Sequence, residues 1–385
     1  MDRRNGDFDA MITSVRLQKF RGFDDVTIPL TRVTMLTGAN GIGKTSVLEG
    51  LYCLFSETRL DVRPFCRYDR IETGNEYAPG PAEFPDRRFD YAFFWDDCMA
   101  FGGRSCSVSA ESDDGTSRTW SCAKRGMFGL DDDMKAEARR SRRADSTSRF
   151  AVFDWELRWK HDNRDPIRMS KSQILSSRGG LLLLPDDAPE TMPSACVYVD
   201  YSSVRVPAAG MPFLTARKLA GLLHTIDKRV SDIRVTLVGR GQSVILNDSH
   251  EISLAALGSG AVSWIGTLVA VMDAAERYDQ YDLSPAGSAP VFVLVDEIGA
   301  GMHHKGMEDI WRFFRDFADD HPYIQFVITT HSNDCVRAFC NVFNKEGDSA
   351  SVVTMHKNFL GEFGVIQLTH PDFENIVSGD WEVRG

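Results

Sequence analysis

The stretch from Val33 to Phe55, VTMLTGANGIGKTSVLEGLYCLF, constrains the fold of this chain more than any other. A short β-rich apolar run comes first, a glycine-rich turn follows, and apolar residues then recur at helical spacing. This order predicts a strand, a tight turn and a helix. The turn, residues 38–45, matches G-x-x-x-x-G-K-[ST] at every fixed position.

The residue types in this turn suit the binding of nucleotide phosphates. Glycines let backbone N–H groups curl around a phosphate, and the helix N-terminus adds partial positive charge. The lysine reaches the terminal phosphates, and the next hydroxyl ligates Mg²⁺. We therefore predict a P-loop, with Lys44 in a catalytic role and Thr45 as a metal ligand. The expected nucleotide contacts are Gly38, Asn40, Gly41, Gly43, Lys44, Thr45 and Ser46.

The C-terminal third of the chain carries features that would complete such a site. The strand VFVLVDE ends in Asp296 and Glu297, and the strand IQFVITTH ends at His331. A buried strand ending in an acid places Asp296 beside the P-loop, where it can hold the Mg²⁺ hydration shell, while Glu297 can orient and polarise a water. His331 would touch a γ-phosphate, so the expected chemistry is positioning and charge stabilisation.

A turn of small residues opens an apolar helix earlier in this third, within SLAALGSGAVSWIGTLVAVMDA. Such a turn presents backbone N–H groups and a helix dipole to a phosphate. The predicted binding residues here are Gly258, Ser259 and Gly260.

The order of the motifs in this chain resembles that of the ABC-type ATPases: a P-loop, a turn of small residues, an Asp-Glu pair and a histidine. The opening VRLQKFRGFDDVTIPLTRVTMLTGANGIGKTSVLEGLY is similar to the SMC, RecF and OLD branch of that family. Two later segments most resemble the OLD-like AAA ATPases of bacteria, namely LVDEIGAGMHHKGMEDIWRFF and ITTHSNDCVRAF. The resemblance covers residues 11–57 and 190–340.

The resemblance implies an α/β fold, an ABC-type P-loop ATPase head with a mixed β-sheet core. This core would be split between residues 11–57 and 190–385. Residues 58–189 would be an inserted region of strands, loops and some helix, with a mobile polar segment at 126–148. The implied cofactors are ATP and Mg²⁺, and the implied reaction is ATP hydrolysis with slow basal turnover.

In that family two heads sandwich ATP, which implies a homodimer or a larger homo-oligomer. The turn at Gly258 to Gly260 would then act on the nucleotide of the partner subunit. Its sequence is LGSGA rather than LSGGQ, so Gly258 stands where the family often has a serine, and Ser259 is the candidate substitute. Arg21 is a candidate nucleotide or interface contact, and the alternative is a solvated turn.

Composition narrows the function classes. A net charge of −11 argues against non-specific coating of nucleic acid. The basic run from Arg139 to Arg149 could contact nucleic acid or an acidic partner, but a solvated mobile loop is favoured because Asp131 to Asp133 lie beside it. The eight cysteines contain no CxxC pair, which indicates reduced thiols. No apolar run is long enough to span a membrane, and the N-terminus has no secretory signal, so we expect a cytoplasmic protein.

Three classes within this branch are disfavoured. Sustained heptads are absent between Thr45 and Gly258, which argues against the coiled-coil arms of SMC and repair ATPases. The large insertion and altered signature argue against a transporter subunit. The segment after Cys340 is too short for the TOPRIM domain of OLD nucleases.

The resemblance then implies a stand-alone ATPase that controls a separate effector, a nuclease or toxin. ATPases of the PARIS, Septu and retron anti-phage systems have this design. One alternative is a RecF-like DNA-repair ATPase that binds DNA. A second alternative is an ATP-binding scaffold with negligible turnover.

Two further assignments stay open from sequence. His303 and His304 could belong to a metal site or to a strand running into a loop, and the metal site is disfavoured because adjacent side chains point in different directions. The resemblance implies instead that the segment EIGAGMHH lies in a loop at the subunit interface. Gln173 is the only candidate for the glutamine that the family places near the metal.

Overall fold

The computed structural model describes residues 11–56, 60–61, 98–99, 103–127, 153–161, 167–170, 182–183, 196–200, 219–224, 228–235, 242–281, 290–300 and 306–379. Among the described residues, the helices with defined bounds are α1 (Lys44–Phe55), α2 (Ser259–Tyr281), α3 (Met307–Asp320), α4 (Asn333–Val342) and α5 (His370–Ser378). Residues 219–224 are also helical. A 3₁₀ turn, Leu254–Leu257, precedes α2.

The strands of the N-terminal half are β1 (Ile12–Phe20), β2 (Phe23–Pro29), β3 (Val33–Gly38), β4 (Leu60–Asp61), β5 (Ser105–Ser112), β6 (Ser117–Met127), β7 (Phe153–His161), β8 (Ile167–Ser170) and β9 (Leu182–Leu183). Those that follow are β10 (Cys196–Asp200), β11 (Val230–Val235), β12 (Gln242–Leu246), β13 (Glu251–Ser253), β14 (Val291–Asp296), β15 (Ile324–Thr329), β16 (Ala350–Lys357) and β17 (Phe363–Leu368).

The central sheet has the strand order β10-β14-β15-β3-β16-β17. Its first five strands are parallel, and β17 returns antiparallel to β16. The carboxyl ends of the parallel strands therefore meet at one edge. The P-loop follows β3 at this edge, Asp296 is the last residue of β14, and His331 lies just beyond β15.

Both faces of this sheet are buried, as expected for parallel strands with near-continuous apolar sequences. On β14, Val293 and Val295 pack into the core beneath α2, α3 and α4, whereas Phe292 and Leu294 pack into the core around α1. Because side chains alternate along a strand, Asp296 lies on the α1 face together with Phe292 and Leu294.

A second sheet, entirely antiparallel, has the order β2-β1-β5-β6-β7-β8. Helix α1 packs between the two sheets. A Cβ on Gly50 would lie 2.9 Å from Leu17 Cδ2, so the glycine allows α1 to approach β1 closely. Trp159 of β7 donates its indole N–H to the carbonyl of Cys53 at 2.8 Å, which fixes the other side of the helix.

A buried glutamine joins the two sheets. Gln325, fully buried on β15, accepts a hydrogen bond from the backbone N–H of Ile12 at 3.3 Å. It donates to the carbonyls of Ile12 at 2.7 Å and Thr31 at 2.9 Å. One amide therefore satisfies backbone groups that burial would otherwise leave unpaired.

The predicted α/β class with a mixed sheet core is confirmed. Strands β5 and β6 form a hairpin with Gly115 in its turn. Strands β11 and β12 pair antiparallel, and β12 also pairs with β13 in a small sheet. Strands β5 to β8, from the stretch expected to be an insertion, share one sheet with β1 and β2.

Several sequence expectations lie outside the described residues. They concern the polar segment beyond Met127, the basic run at 139–149, Gln173 and the two histidines at 303 and 304. Within the described ranges, the cysteines are free and buried, and no helix is long and apolar enough to cross a membrane.

Candidate active site

The P-loop runs from β3 into α1, and its glycines take conformations that other residues rarely adopt. Gly38 has φ +135° and Gly43 has φ +108°. A Cβ on Gly38 would collide with the backbone oxygen of Met355 on β16, and a Cβ on Gly43 would lie 2.5 Å from Phe23 Cζ. Gly41 has φ +75° and open space around it. Two glycines are therefore required by close packing as well as by conformation.

Lys44 is folded back onto its own loop. Its ammonium donates to the carbonyls of Gly38 at 2.8 Å and Ala39 at 3.0 Å, and the residue is 4% exposed. Burial lowers the pKa of Lys44 to about 8, and the negative charges of Asp296 and Glu297 oppose part of that shift. A phosphate in the loop would replace the carbonyls as the partner of this cation.

Asp296 accepts hydrogen bonds from three hydroxyls on three different elements. Thr45 of α1 donates to Oδ2 at 2.9 Å and reaches Oδ1 at 3.2 Å. Thr329 of β15 donates to Oδ1 at 2.6 Å, and Tyr198 of β10 donates to Oδ2 at 2.9 Å. The carboxylate is 2% exposed, so these bonds hold it in a fixed orientation beside the first turn of α1.

Glu297 and His331 face each other across the edge of the sheet. His331 Nε2 lies 3.8 Å from Glu297 Oε1, and the two side chains are 37% and 44% exposed. Glu297 has φ +60°, and its backbone N–H donates to the hydroxyl of Thr329 at 2.8 Å. Ser332 caps α4 by accepting from the N–H of Cys335, which fixes the loop that carries His331.

A cavity of about 460 Å³ opens beside this pair. It is lined by Glu297–Ala300 from the segment after β14 and by Thr330–Asp334 from the loop and first turn of α4. Glu297 and His331, both predicted from sequence to take part in catalysis, therefore line one cavity.

The small-residue turn lies at the start of α2. Gly258 has φ +96° and open space on the side where a Cβ would lie, and it is exposed together with Ser259. Gly260 is buried in the first turn of the helix. Exposure of the turn is compatible with the expected contact to a partner subunit's nucleotide, a role that stays a prediction.

Arg21 occupies the turn between β1 and β2, with φ +52°. Its Nε lies 3.0 Å from Oε2 of Glu49 on α1, and the two side chains are 19% and 7% exposed. Its backbone N–H donates to the carbonyl of Cys98 at 2.8 Å. The solvated turn considered from sequence is therefore wrong, since this arginine forms a mostly buried ion pair with the P-loop helix. A nucleotide or interface contact stays a prediction.

Two site residues were missed by the sequence analysis. Thr329 could have been predicted, because it lies at the end of an apolar run and two residues before His331. Tyr198 lies in no motif, and nothing in its sequence neighbourhood marks it as a site residue. Only the pairing of β10 with β14, in which Asp200 lies opposite Asp296, brings it to the acid.

The donor set fits Mg²⁺. A threonine hydroxyl and a carboxylate 2.9 Å apart are hard oxygen ligands, and Mg²⁺ characteristically takes one or two protein carboxylates together with waters and substrate phosphates. Thr45 and Asp296 would hold the ion. Across the described ranges, no group of three or more His, Cys, Asp or Glu residues could hold a metal.

Comparison with known proteins agrees with this geometry in the N-terminal part. Residues 11–106 match the family described as AAA ATPase domain. The DNA replication and repair protein RecF of Acholeplasma laidlawii is 35% identical over 69 residues, 18% of this chain and 19% of that protein. The chain thus matches about a fifth of that relative's length. The family match includes the P-loop and helix α1.

Two solved structures are similar over most of their length. The SMC head domain from Thermotoga maritima has a TM-score of 0.43 and 14% identity, covering 93% of this chain and 98% of that chain. The Smc head domain with an extended coiled coil bound to the C-terminal domain of ScpA, from Pyrococcus furiosus, has a TM-score of 0.46 and 12% identity. That alignment covers 95% of this chain and 98% of the other.

Proposed function

We propose that the chain binds ATP with Mg²⁺ and hydrolyses it to ADP and phosphate. The observation that carries this proposal is the hydrogen bond between Thr45 and Asp296, residues 251 positions apart. It brings a P-loop hydroxyl and a strand-end carboxylate to one point, as a Mg²⁺–nucleotide site requires.

The residues of the site would have different roles in ATP binding and hydrolysis, according to their positions. The P-loop backbone and Lys44 would hold the phosphates, with the ammonium exchanging its carbonyl partners for phosphate oxygens. Bound Mg²⁺ would neutralise charge on the terminal phosphates. Glu297 would accept a proton from the attacking water, and His331 would donate a hydrogen bond to the γ-phosphate.

Two substitutions test this function. Lys44→Ala removes the phosphate-binding cation, so we expect ATP binding and hydrolysis both to be lost. Glu297→Gln removes the base on a half-exposed side chain, so we expect binding to persist while hydrolysis falls at least about 100-fold. Equal hydrolysis by Glu297→Gln and the unmodified protein would contradict the assignment of Glu297. Binding by the unmodified protein without measurable turnover would favour the scaffold alternative.

For the assembly we propose an ATP-dependent homodimer or larger homo-oligomer. Its support is the exposed turn at Gly258 and Ser259, which offers backbone N–H groups at the start of a long helix. Light scattering of the Glu297→Gln variant with ATP should detect an increase in mass, whereas Lys44→Ala should stay at the mass seen without nucleotide. An unchanged mass in both variants would contradict this assembly.

For the cellular role we propose a switch that holds or releases a separate nuclease or toxin in bacterial anti-phage defence. Its support is the resemblance of the segments around Asp296 and His331 to OLD-like ATPases. Co-purification with products of adjacent genes tests it, because an effector should be retained or released according to nucleotide state.

The RecF match favours a second candidate, a DNA-binding repair ATPase. That function predicts ATP hydrolysis stimulated by double-stranded DNA and weakened by salt. A switch for a protein effector predicts hydrolysis insensitive to DNA. Measuring turnover with and without duplex DNA at two salt concentrations therefore separates the two candidates.

A further inference from the structure

Tyr198 stands one strand away from the predicted metal carboxylate, and the ATPase mechanism outlined above does not use it. Its phenol donates to Asp296 Oδ2 at 2.9 Å, the same oxygen that accepts from Thr45 at 2.9 Å. We propose that Tyr198 is a positioning residue, which orients Asp296 for Mg²⁺ and so sets the metal dependence of nucleotide binding. This inference rests on the proposed function.

The fold places the phenol where it can do this. Strand β10 pairs in parallel with β14, with Tyr198 opposite Leu294 and Asp200 opposite Asp296. Side chains two residues apart share a face of the sheet, so Tyr198 and Asp296 both lie on the α1 side. The length of a tyrosine side chain spans the remaining step along the strand.

The ring itself is held by α1. Tyr198 meets Tyr52 edge to face, with ring centroids 6.3 Å apart and planes at 78°. Tyr52 belongs to the helix whose first turn carries Thr45, so one helix carries both the metal hydroxyl and the support of the tyrosine. The phenol is therefore constrained at both ends, by its ring and by its hydroxyl.

The three hydroxyls around Asp296 differ in what they can do when the metal is present. Thr45 is itself a predicted ligand, so its oxygen would turn toward the ion. Thr329 also accepts from the backbone of Glu297, so its hydroxyl has a second function. Tyr198 is not a predicted metal ligand, and its hydroxyl donates to the same carboxylate oxygen that accepts from Thr45. Partners of this kind typically change metal affinity by about 10- to 100-fold when removed.

The experiment measures binding of a fluorescent, non-hydrolysable ATP analogue to the 385-residue chain as the Mg²⁺ concentration is raised. In Tyr198→Phe the ring and its contact with Tyr52 stay, and only the hydroxyl is lost. We expect the Mg²⁺ concentration for half-maximal binding to rise about 10- to 100-fold, while analogue affinity in EDTA is unchanged. Tyr323→Phe is the control, because this buried tyrosine directly precedes β15, at the amino ends of the parallel strands, and it should match the unmodified protein.

The outcomes separate the inference from the function beneath it. Unchanged or tighter Mg²⁺ dependence in Tyr198→Phe overturns the inference, as does an equal loss of affinity with and without metal, which a purely structural role predicts. Failure of the unmodified protein to bind the analogue overturns the proposed function and the inference with it. Thermal melting without ligand monitors folding, and Tyr198→Met provides a second hydroxyl-free variant.

Discussion

The backbone N–H of Glu297 donates to the hydroxyl of Thr329 at 2.8 Å, and the same hydroxyl donates to Asp296 Oδ1 at 2.6 Å. One buried side chain on β15 therefore fixes both acids at the end of β14. This relationship also accounts for how Glu297 is held at φ +60°, a conformation that costs energy for a residue with a side chain.

Replacing Thr329 by valine should release both acids. The variant keeps the shape of the side chain but removes the partner of a buried N–H and of a buried carboxylate oxygen, which costs about 1–3 kcal/mol of unfolding free energy. We expect ATP hydrolysis to fall more than ATP binding, by roughly tenfold to 100-fold, because Glu297 loses its orientation. Urea unfolding and steady-state turnover measure the two effects.

Thr329→Ser is the matched control, since it retains the hydroxyl and loses one methyl group. It should keep hydrolysis near the original rate at a stability cost of about 1 kcal/mol. If serine and valine reduced hydrolysis equally, packing rather than the hydrogen bonds would position the acids.

The lowered pKa of Lys44 predicts a pH dependence for nucleotide binding without metal. In the free protein, Lys44 is protonated and positively charged below its pKa of about 8, and it loses this charge above that pH. Bound phosphates favour the charged form, so binding takes up a proton at higher pH, and affinity should fall by up to about tenfold per pH unit above 8. Titrations of ATP in EDTA between pH 7 and 9.5 measure this slope.

Lys44→Arg provides the comparison, because guanidinium stays charged throughout this range. Whatever its absolute affinity, its binding should be flat where that of the unmodified protein declines. If the ATP affinity of the two proteins fell equally with pH, a group other than Lys44 would be responsible for the pH dependence.

Gly41 and Gly43 of the P-loop have different surroundings, so replacing each by alanine should have a different effect. Gly43→Ala combines a positive φ with a collision against the ring of Phe23, whereas Gly41→Ala meets the same conformational cost in open space. We expect Gly41→Ala to cost about 1 kcal/mol and to retain ATP binding. Gly43→Ala should displace the start of α1 and abolish binding. Equal affinities for the two variants, measured by fluorescent ATP, would contradict the close approach of Phe23.

Much of this arrangement is predictable from sequence because the P-loop and the strand-end acids carry local signals. The spacing from Gly38 to Thr45 and the apolar run before Asp296 fix their own elements. No local signal predicts that β1 and β2 share one sheet with β5 to β8, because this sheet forms by pairing of strands that are far apart in the sequence. Tyr198 escaped notice for the same reason, because its relevance depends on the register of β10 against β14.

Arg21 offers a prediction that separates a nucleotide contact from a structural ion pair. Arg21→Met removes the guanidinium beside Glu49, which is 7% exposed, and loss of one partner of a buried pair costs about 3–5 kcal/mol. We therefore expect a large fall in unfolding free energy in urea. The double variant Arg21→Met, Glu49→Leu should recover most of this loss, because neither charge is then buried.

ATP affinity, measured on the same proteins, decides between the two roles. A structural arginine predicts that affinity follows stability and returns in the double variant. A nucleotide contact predicts weaker binding in both variants, with Arg21→Met nearly as stable as the unmodified protein. The buried partner on α1 favours the first outcome, since an arginine held by Glu49 would have to leave that carboxylate to reach a phosphate.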